Sequence, residues 1–441
     1  MEPITIGFVL IGVMIVLIML GMHIGLVLFS LGAIGIWLIR DNMELAFRMT
    51  AITAYSGIQD YLFATIPLFV LMGLLVSVSN VGKDTFDVAQ ELLKRVRGGL
   101  GMATVAANAV FAAVTGVSIA SAAVFTKVAV PEMLRHGYTM RFATGTVAGS
   151  SILGMLIPPS LLMIIYGVLA EVSIGKMFLA GVIPGILIAI GFAGLIFVMA
   201  VFFPHQVMRD PSRSAALADA GPAMSRGEMM GKSVPILALV ALILGGLYTG
   251  YFTPTEAGAA GAFGALMIAI VRRRLDWPKL WRILTETGHV SVSILFLLIA
   301  AGLYSRMLSL AGLPNAIGDM VTTLGLGAYG FLLVYVVIIL LLGMLLDSSS
   351  ILLIMVPIAA PIATGFGFDL IHFGIITIIA VEAGLLTPPF GISVFTVKAT
   401  LADKFVGIEE IFAGALPFVG VMLVALLMIA AVPWLATALV N

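Results

Sequence analysis

The sequence contains no cysteine, little charge and no net charge. The absence of cysteine excludes disulfides, thiolate metal sites and cysteine nucleophiles. Only 10% of the 441 residues are charged, and the formal charge is zero. With no basic tail or aromatic-interleaved basic patch, this composition argues against nucleic acid as a partner. No complete phosphate-binding loop of the form GxxxxGK[ST] occurs, so we expect no ATP bound by this chain.

Apolar residues fill most of the chain: 61% of it is hydrophobic and the mean hydropathy is +1.21. A soluble core could not bury that much apolar side chain, so the composition indicates a membrane protein. Apolar runs of about 18 residues or more recur along the chain without strand-like alternation, which predicts an all-α polytopic fold. About ten transmembrane helices are predicted, at 4–20, 22–39, 62–80, 142–167, 177–203, 233–250, 254–271, 287–313, 371–397 and 411–437.

Two Pro-Pro pairs interrupt long apolar runs at matching places in the two halves of the chain. Pro158-Pro159 lies in the first half and Pro388-Pro389 in the second, and the longest polar interval, 205–232, lies near the midpoint. We therefore predict a first repeat at 1–204, a cytoplasmic linker at 205–232 and a second repeat at 233–441. The prolines predict that helices 142–167 and 371–397 are broken.

Two further stretches do not fit as single membrane crossings, because each is longer than one crossing requires and has a polar centre. We predict that 98–133 and 329–365 form re-entrant helical hairpins. Lys and Arg flank the first hairpin and are absent around the second, so the two are expected to enter from opposite faces, as an inverted repeat requires. The same charge pattern places the two chain termini in the periplasm.

A broken helix inside a bilayer frees backbone carbonyls that need partners, and a bound cation is one of them. A hairpin tip carrying hydroxyls beside such a break offers the oxygen ligands that sodium prefers, and half-helix N-termini can face an anion. Two such pairings are predicted: Thr115, Gly116, Ser118 and Ser121 with the break at 154–158, and Gly343, Asp347, Ser348 and Ser349 with the break at 384–388.

Charged residues inside apolar stretches are open to structural and functional interpretations. Arg306 could hold a substrate carboxylate through its planar guanidinium, or could reach the membrane interface or pair with an acid. Asp347 could be a cation ligand or a helix cap. Glu382 and Glu256 are interpreted as residues that order a break or a helix start. The Gly-x-Ser stretch at 116–118 has no histidine placed as its base, so we do not predict an enzyme.

Several motifs resemble the large membrane subunit of tripartite ATP-independent periplasmic (TRAP) transporters. They include GLGMATVAANAVFAAVTGVSIASAA, GSSILGMLIPPSLLMIIYG, YFTPTEAGAAGA, GMLLDSSSILLIMVPI and EAGLLTPPFGISVF. The similarity runs over almost the whole chain in the same order. One departure is the first tip, where family members often read Ser-Gly-Ser-Ser and this chain reads Thr-Gly-Val-Ser.

The resemblance implies a sodium-driven importer of small organic acids, such as C4-dicarboxylates or sugar acids, that works as an elevator with a transport domain on a scaffold. It implies sodium as the coupling ion and no other cofactor. It places sodium ligands in two groups, Ser118, Ser121 and Gly154 at the first tip, and Gly343, Asp347, Thr387 and Pro388 at the second. We predict that substrate is bound by Arg306, Thr115, Ser348, Ser349, Pro159 and Pro389.

The resemblance also implies a small four-helix membrane subunit and a periplasmic substrate-binding protein as partners, and a bacterial inner membrane as the location. Two alternatives remain open. A stand-alone sodium-coupled carrier of the dicarboxylate or citrate type would share the hairpins and breaks but need no partner. A passive channel with two re-entrant hairpins would carry solute without a sodium gradient.

Overall fold

The computed structural model describes residues 2–209, 224–401 and 406–440. Within these ranges the chain is almost entirely helical, and the described residues contain no β-strand beyond one isolated bridge between Tyr138 and Met208. The predicted all-α fold is therefore confirmed. Half of the predicted linker 205–232, namely residues 210–223, lies outside the described residues.

Twelve α-helices precede residue 210. They are α1 (Pro3–Met19), α2 (Ile24–Arg40), α3 (Met43–Gln59), α4 (Thr65–Val78), α5 (Val81–Leu93), α6 (Gly99–Thr115), α7 (Ser118–Arg135), α8 (Met140–Ser151), α9 (Leu153–Leu156), α10 (Leu161–Leu169), α11 (Ile174–Phe202) and α12 (Pro204–Val207). A 3-10 turn at Tyr61–Ala64 leads into α4.

Ten α-helices follow residue 223 among the described residues. They are α13 (Arg226–Tyr248), α14 (Pro254–Val271), α15 (Trp277–Leu310), α16 (Leu313–Thr323), α17 (Ala328–Gly343), α18 (Ser348–Gly365), α19 (Leu370–Gly384), α20 (Ile392–Thr400), α21 (Ile408–Ala431) and α22 (Trp434–Thr437).

The lengths and hydropathy of these helices fit a multi-pass membrane protein. Among the described residues, seven helices are long and apolar enough to cross a bilayer, or up to nine if two bent helix pairs are counted as spans. The predicted first two spans coincide with α1 and α2, whose 17 residues give about 26 Å at about 1.5 Å per residue. Both are slightly short of a hydrocarbon core of roughly 30 Å, so the predicted total of ten depends on counting such helices.

Helix starts and surface helices differ from the prediction. α15 begins at Trp277 and not at 287, because Asp276 caps it by accepting a hydrogen bond from the Lys279 N–H at 2.9 Å. α13 likewise begins inside the predicted linker, where Ser225 caps it. The sequence prediction also missed α3 and α5, which are less apolar than the spans and so were not found by a search for continuous apolar runs.

Both predicted hairpins are confirmed as antiparallel helix pairs. In the first, Thr104 near the start of α6 and Met133 near the end of α7 lie 3.8 Å apart, from Oγ1 to Sδ. In the second, Phe331 near the start of α17 and Phe366 just after α18 are stacked, with ring centroids 5.4 Å apart. The open ends of each hairpin are thus close together, and the tips, 116–117 and 344–347, lie at the opposite end.

Both predicted helix breaks are also present, at the Pro-Pro pairs. The chain bends by 44° between α8–α9 and α10, with residues 157–160 between them. The second break, residues 385–391, separates α19 from α20. Proline cannot donate a backbone hydrogen bond, so neither helix continues through its pair.

Helices at equivalent positions in the two halves each pack against the other half. In the first half, α10 follows the break and packs on α18 of the second hairpin; in the second half, α20 follows the break and packs on α7 of the first hairpin. Two further contacts also join the halves: α2 packs on α15, and α4 packs on α14. These reciprocal contacts interlock the halves and bring both tips and both breaks into one region. The repeat boundaries and their inverted orientation stay predictions.

Candidate functional site

The first hairpin tip lies directly against the first helix break. Gly116 ends α6 with a φ of +63°, and its carbonyl accepts a hydrogen bond from the Leu161 N–H at 3.2 Å. A Cβ at position 116 would lie 2.8 Å from the Pro159 carbonyl oxygen. Only glycine satisfies both the left-handed backbone and this close approach. The prediction that this tip meets this break is therefore correct.

Gly154 completes this contact from the other side of the break. A Cβ on Gly154 would lie 3.0 Å from both the Cα and the N of Ser118 and from the Val117 carbonyl carbon. Backbone therefore meets backbone at the start of α7, with no side chain between. Pro158, Pro159 and Ser160 are all buried at this contact.

A buried hydroxyl–amide network lies behind the first tip. Ser121 donates to Asn108 Oδ1 at 2.5 Å, and Asn108 Nδ2 donates to Ser150 Oγ at 2.7 Å. All three side chains are fully buried. The sequence analysis selected Ser121 as a sodium ligand, and its hydroxyl is engaged within the protein here. The sequence analysis did not select Asn108, although a side-chain amide inside the apolar α6 stretch could have indicated it.

The second tip is built differently, because a carboxylate caps the helix that follows it. Asp347 Oδ2 accepts hydrogen bonds from the N–H groups of Ser349 at 3.1 Å and Ser350 at 3.2 Å, and Oδ1 accepts one from the Ser350 hydroxyl. Asp347 therefore fills the capping role that the sequence left open. The side chain is exposed, and its role as a cation ligand stays a prediction.

The second tip approaches the second break through two glycines. A Cβ on Gly343 would lie 2.7 Å from the Gly384 Cα, and a Cβ on Gly384 would lie 2.8 Å from the Gly343 Cα. Thr387 turns its hydroxyl back to the Ala383 carbonyl at 2.8 Å. Unlike the buried first pair, Pro388 and Pro389 are exposed. The second break is thus the more accessible of the two.

One carboxylate joins both hairpins. Glu382 lies in the last turn of α19, and its side chain is fully buried. Its Oε2 accepts a hydrogen bond from the Ser118 hydroxyl at 2.9 Å, and its Oε1 accepts one from the Ser348 hydroxyl at 3.0 Å. These serines are the first residues of α7 and α18. The N-termini of α7 and α18, which are the second helix of each hairpin, therefore meet at Glu382. The partial positive charge at these helix ends favours an anion.

Sequence reasoning missed this role of Glu382, which was interpreted as a residue that orders the break. The signal was a single acidic residue in a mostly apolar stretch, LIHFGIITIIAVEAG. A buried carboxylate is costly unless it is hydrogen-bonded and its charge is compensated, so it is a candidate for a functional position. Its partners could not be found, since Ser118 is 264 residues away in the chain.

The remaining predicted substrate residues are distributed unevenly around the tips. Thr115 is buried and donates to the Phe111 carbonyl at 2.9 Å. Ser349 is half-buried at the start of α18. Arg306 is exposed in the last turns of α15, and within the described ranges its side chain forms no hydrogen bond or ion pair with another residue. Its proposed contact with a substrate carboxylate therefore stays a prediction.

Paired hairpins and broken helices that meet inside a bundle of membrane-length helices define the architecture of a membrane transporter. The family model for the DctM component of tripartite ATP-independent periplasmic transporters matches residues 11–435. The chain therefore belongs to this family, as the resemblance of its motifs predicted.

Individual relatives agree with this assignment. The C4-dicarboxylate TRAP transporter large permease protein of Pseudomonas aeruginosa is 34% identical over 413 residues, covering 93% of this chain and 94% of that protein. The large permease of the same name from Rhodobacter capsulatus is 30% identical over 450 residues, covering 99% of both. Among solved structures, the YdaH transporter of Alcanivorax borkumensis matches the fold with a TM-score of 0.65 at 14% identity, over 99% of both chains.

Proposed function

We propose that this chain is the large subunit of a sodium-coupled importer of small organic acids. The observation that carries the proposal is the meeting of both hairpin tips at one buried carboxylate, Glu382, beside two helix breaks. Hydroxyls, unwound backbone and a buried negative charge are the groups that bind a small hard cation in a membrane. Coupling uptake to the gradient of such a cation would supply the energy for transport.

A C4-dicarboxylate is the substrate class we favour. The supporting observation is that the relatives from Pseudomonas aeruginosa and Rhodobacter capsulatus are both named as C4-dicarboxylate permeases. The accessible second tip and break, with Ser349, Pro388 and Pro389 at least partly exposed, offer a place for the substrate.

We propose that the hairpins and broken helices move as one body against the remaining helices. The close backbone contacts at Gly116, Gly154 and Gly343 support this division, because they leave little room for sliding between a tip and its break. The pairs α2 with α15 and α4 with α14 would form the fixed frame. From family membership we also propose that a small membrane subunit and a periplasmic binding protein complete the system in a bacterial inner membrane. From the distribution of Lys and Arg along the sequence we propose that both termini of this chain lie in the periplasm.

The test is uptake by the reconstituted complex. Proteoliposomes containing this chain and its small subunit, with binding protein outside, should take up a C4-dicarboxylate such as succinate when sodium is high outside. A sugar acid and a zwitterionic solute serve as comparison substrates. Uptake without the small subunit and binding protein would favour the stand-alone carrier. Equal uptake with sodium balanced across the membrane would favour a passive channel.

A further inference from the structure

We propose that Glu382 is the common counter-charge of two cation sites, one at each hairpin tip, so that cation binding at both tips depends on this single carboxylate. The inference rests on the proposed sodium coupling and extends it by naming the charge that the two sites share. Neither the family match nor the relatives' names assign this residue a role.

The two carboxylate oxygens are divided between the two halves of the protein. Oε2 receives the Ser118 hydroxyl from the first hairpin, and Oε1 receives the Ser348 hydroxyl from the second. Glu382 itself lies just before Gly384, which packs on Gly343 at the second tip. A change at either tip is therefore transmitted to the same side chain.

The charge of this carboxylate has little compensation from the protein. Among the described residues, no Lys, Arg or His forms an ion pair with Glu382, and its two hydrogen-bond donors are neutral hydroxyls. A buried charge is retained only when it is paired. Helix N-termini of α7 and α18 supply partial positive charge, and a cation at either tip would supply the rest. Each serine hydroxyl bonded to Glu382 keeps a lone pair for a cation.

A purely structural role predicts a different behaviour. If Glu382 only held the tips together by hydrogen bonds, glutamine, which has nearly the same shape and keeps an acceptor oxygen, would largely replace it. A counter-charge cannot be replaced by a neutral amide. Charge and hydrogen bonding can therefore be separated by one substitution, Glu382→Gln.

The natural absence of cysteine allows each tip to carry its own reporter. Ile119 beside the first tip and Leu345 at the second are each 45% exposed. In separate variants, Ile119→Cys and Leu345→Cys are labelled with a maleimide in the reconstituted complex while sodium is titrated against choline. The sodium concentration that half-protects each cysteine reports cation binding at that tip without requiring transport.

We expect Glu382→Gln to raise the half-protecting sodium concentration at least tenfold at both reporters. The matched control is Glu256→Gln, which neutralises an exposed glutamate that caps α14, and it should leave both values unchanged. A shift at the Leu345→Cys reporter alone would overturn the shared role, since Glu382 would then serve only the tip of its own half. Unchanged values at both reporters would overturn it entirely.

A second measurement decides the proposal if Glu382→Gln does not fold. Ser118→Ala and Ser348→Ala keep the carboxylate, and the two serines belong to different hairpins. Each substitution changes the sodium concentration that gives half-maximal uptake. If both serines act through Glu382, the change in the double variant should differ at least threefold from the product of the two single changes. Independent, multiplying effects would overturn the proposal. Sodium-independent uptake by the unmodified complex would instead refute the proposed function itself.

Discussion

The contact between Gly343 and Gly384 offers a direct test of whether the second tip must lie against the second break. A Cβ introduced by Gly343→Ala would lie 2.7 Å from the Gly384 Cα and 3.0 Å from its carbonyl carbon. Both are backbone atoms, which cannot move aside as the end of a flexible side chain can. The tip has to separate from the break by several tenths of an ångström.

The size of the effect follows from this overlap. Forcing one methyl group into a packed contact costs about 1–3 kcal/mol. If the separated arrangement binds sodium poorly, that cost appears in sodium affinity, where about 1.4 kcal/mol corresponds to a tenfold change. We therefore expect the sodium concentration that gives half-maximal uptake to rise roughly 5- to 150-fold. Gly365→Ala is the matched control in the same hairpin, because a Cβ there has no atom within 4 Å.

Uptake by proteoliposomes at graded sodium concentrations measures this change, and thermal unfolding in detergent measures the stability of each variant. Gly343→Ala should unfold at a lower temperature than Gly365→Ala and need more sodium. The reasoning is refuted if the two variants take up substrate with the same sodium dependence, since the close contact would then be irrelevant to cation binding.

Three further predictions concern side chains around the tips. Asp347→Asn keeps a good helix cap but removes the charge, so it should raise half-maximal sodium only if Asp347 is a cation ligand; Asp347→Ala should in either case lose about 1 kcal/mol of stability, seen by thermal unfolding. Asn108→Ala removes the acceptor of the buried Ser121 hydroxyl and the amide that donates to Ser150, whose own hydroxyl still donates to the Thr146 carbonyl. It should destabilise the protein by about 1–3 kcal/mol, and an unchanged melting temperature would contradict this. Arg306→Lys should strongly weaken uptake if a carboxylate is held by the planar guanidinium, whereas normal uptake removes Arg306 from the site.

The sequence could predict the helical fold, the hairpins and the breaks because each has a local physical cause. Apolar runs of membrane length specify spans, and Pro-Pro pairs end helices wherever they occur. Surface helices were harder to predict. α3 has a mixed polar and apolar composition and so contains no continuous apolar run, and it leaves Phe47, Tyr55 and Ile58 exposed. Helix starts were missed where a single capping residue such as Asp276 determines them.

The candidate site was predictable only in part, since its chemistry depends on contacts between distant segments. Tip residues such as Ser118 and Ser348 were selected because hydroxyls at a hairpin tip beside a helix break offer oxygen ligands to a cation. Their shared partner, Glu382, was not selected. Nothing in the neighbouring sequence distinguishes a glutamate that orders a helix break from one that accepts hydrogen bonds from two hairpins. Asp347 shows the converse difficulty: its carboxylate fits a cation site by composition, and in the structure it caps α18.

The two tips share Glu382 but differ in their exposure, and this difference bears on the proposed transport. Pro158 and Pro159 are buried, whereas Pro388 and Pro389 are exposed and Phe390 is 57% exposed. A symmetric resting arrangement of two related halves would expose both breaks equally. Under the proposed mechanism, carrying substrate across the membrane moves this assembly relative to its frame, so the surroundings of the second break must change. A cysteine at Phe390 should therefore be labelled at different rates when sodium with succinate is present and when both are absent; equal rates would mean that this break does not take part in the movement.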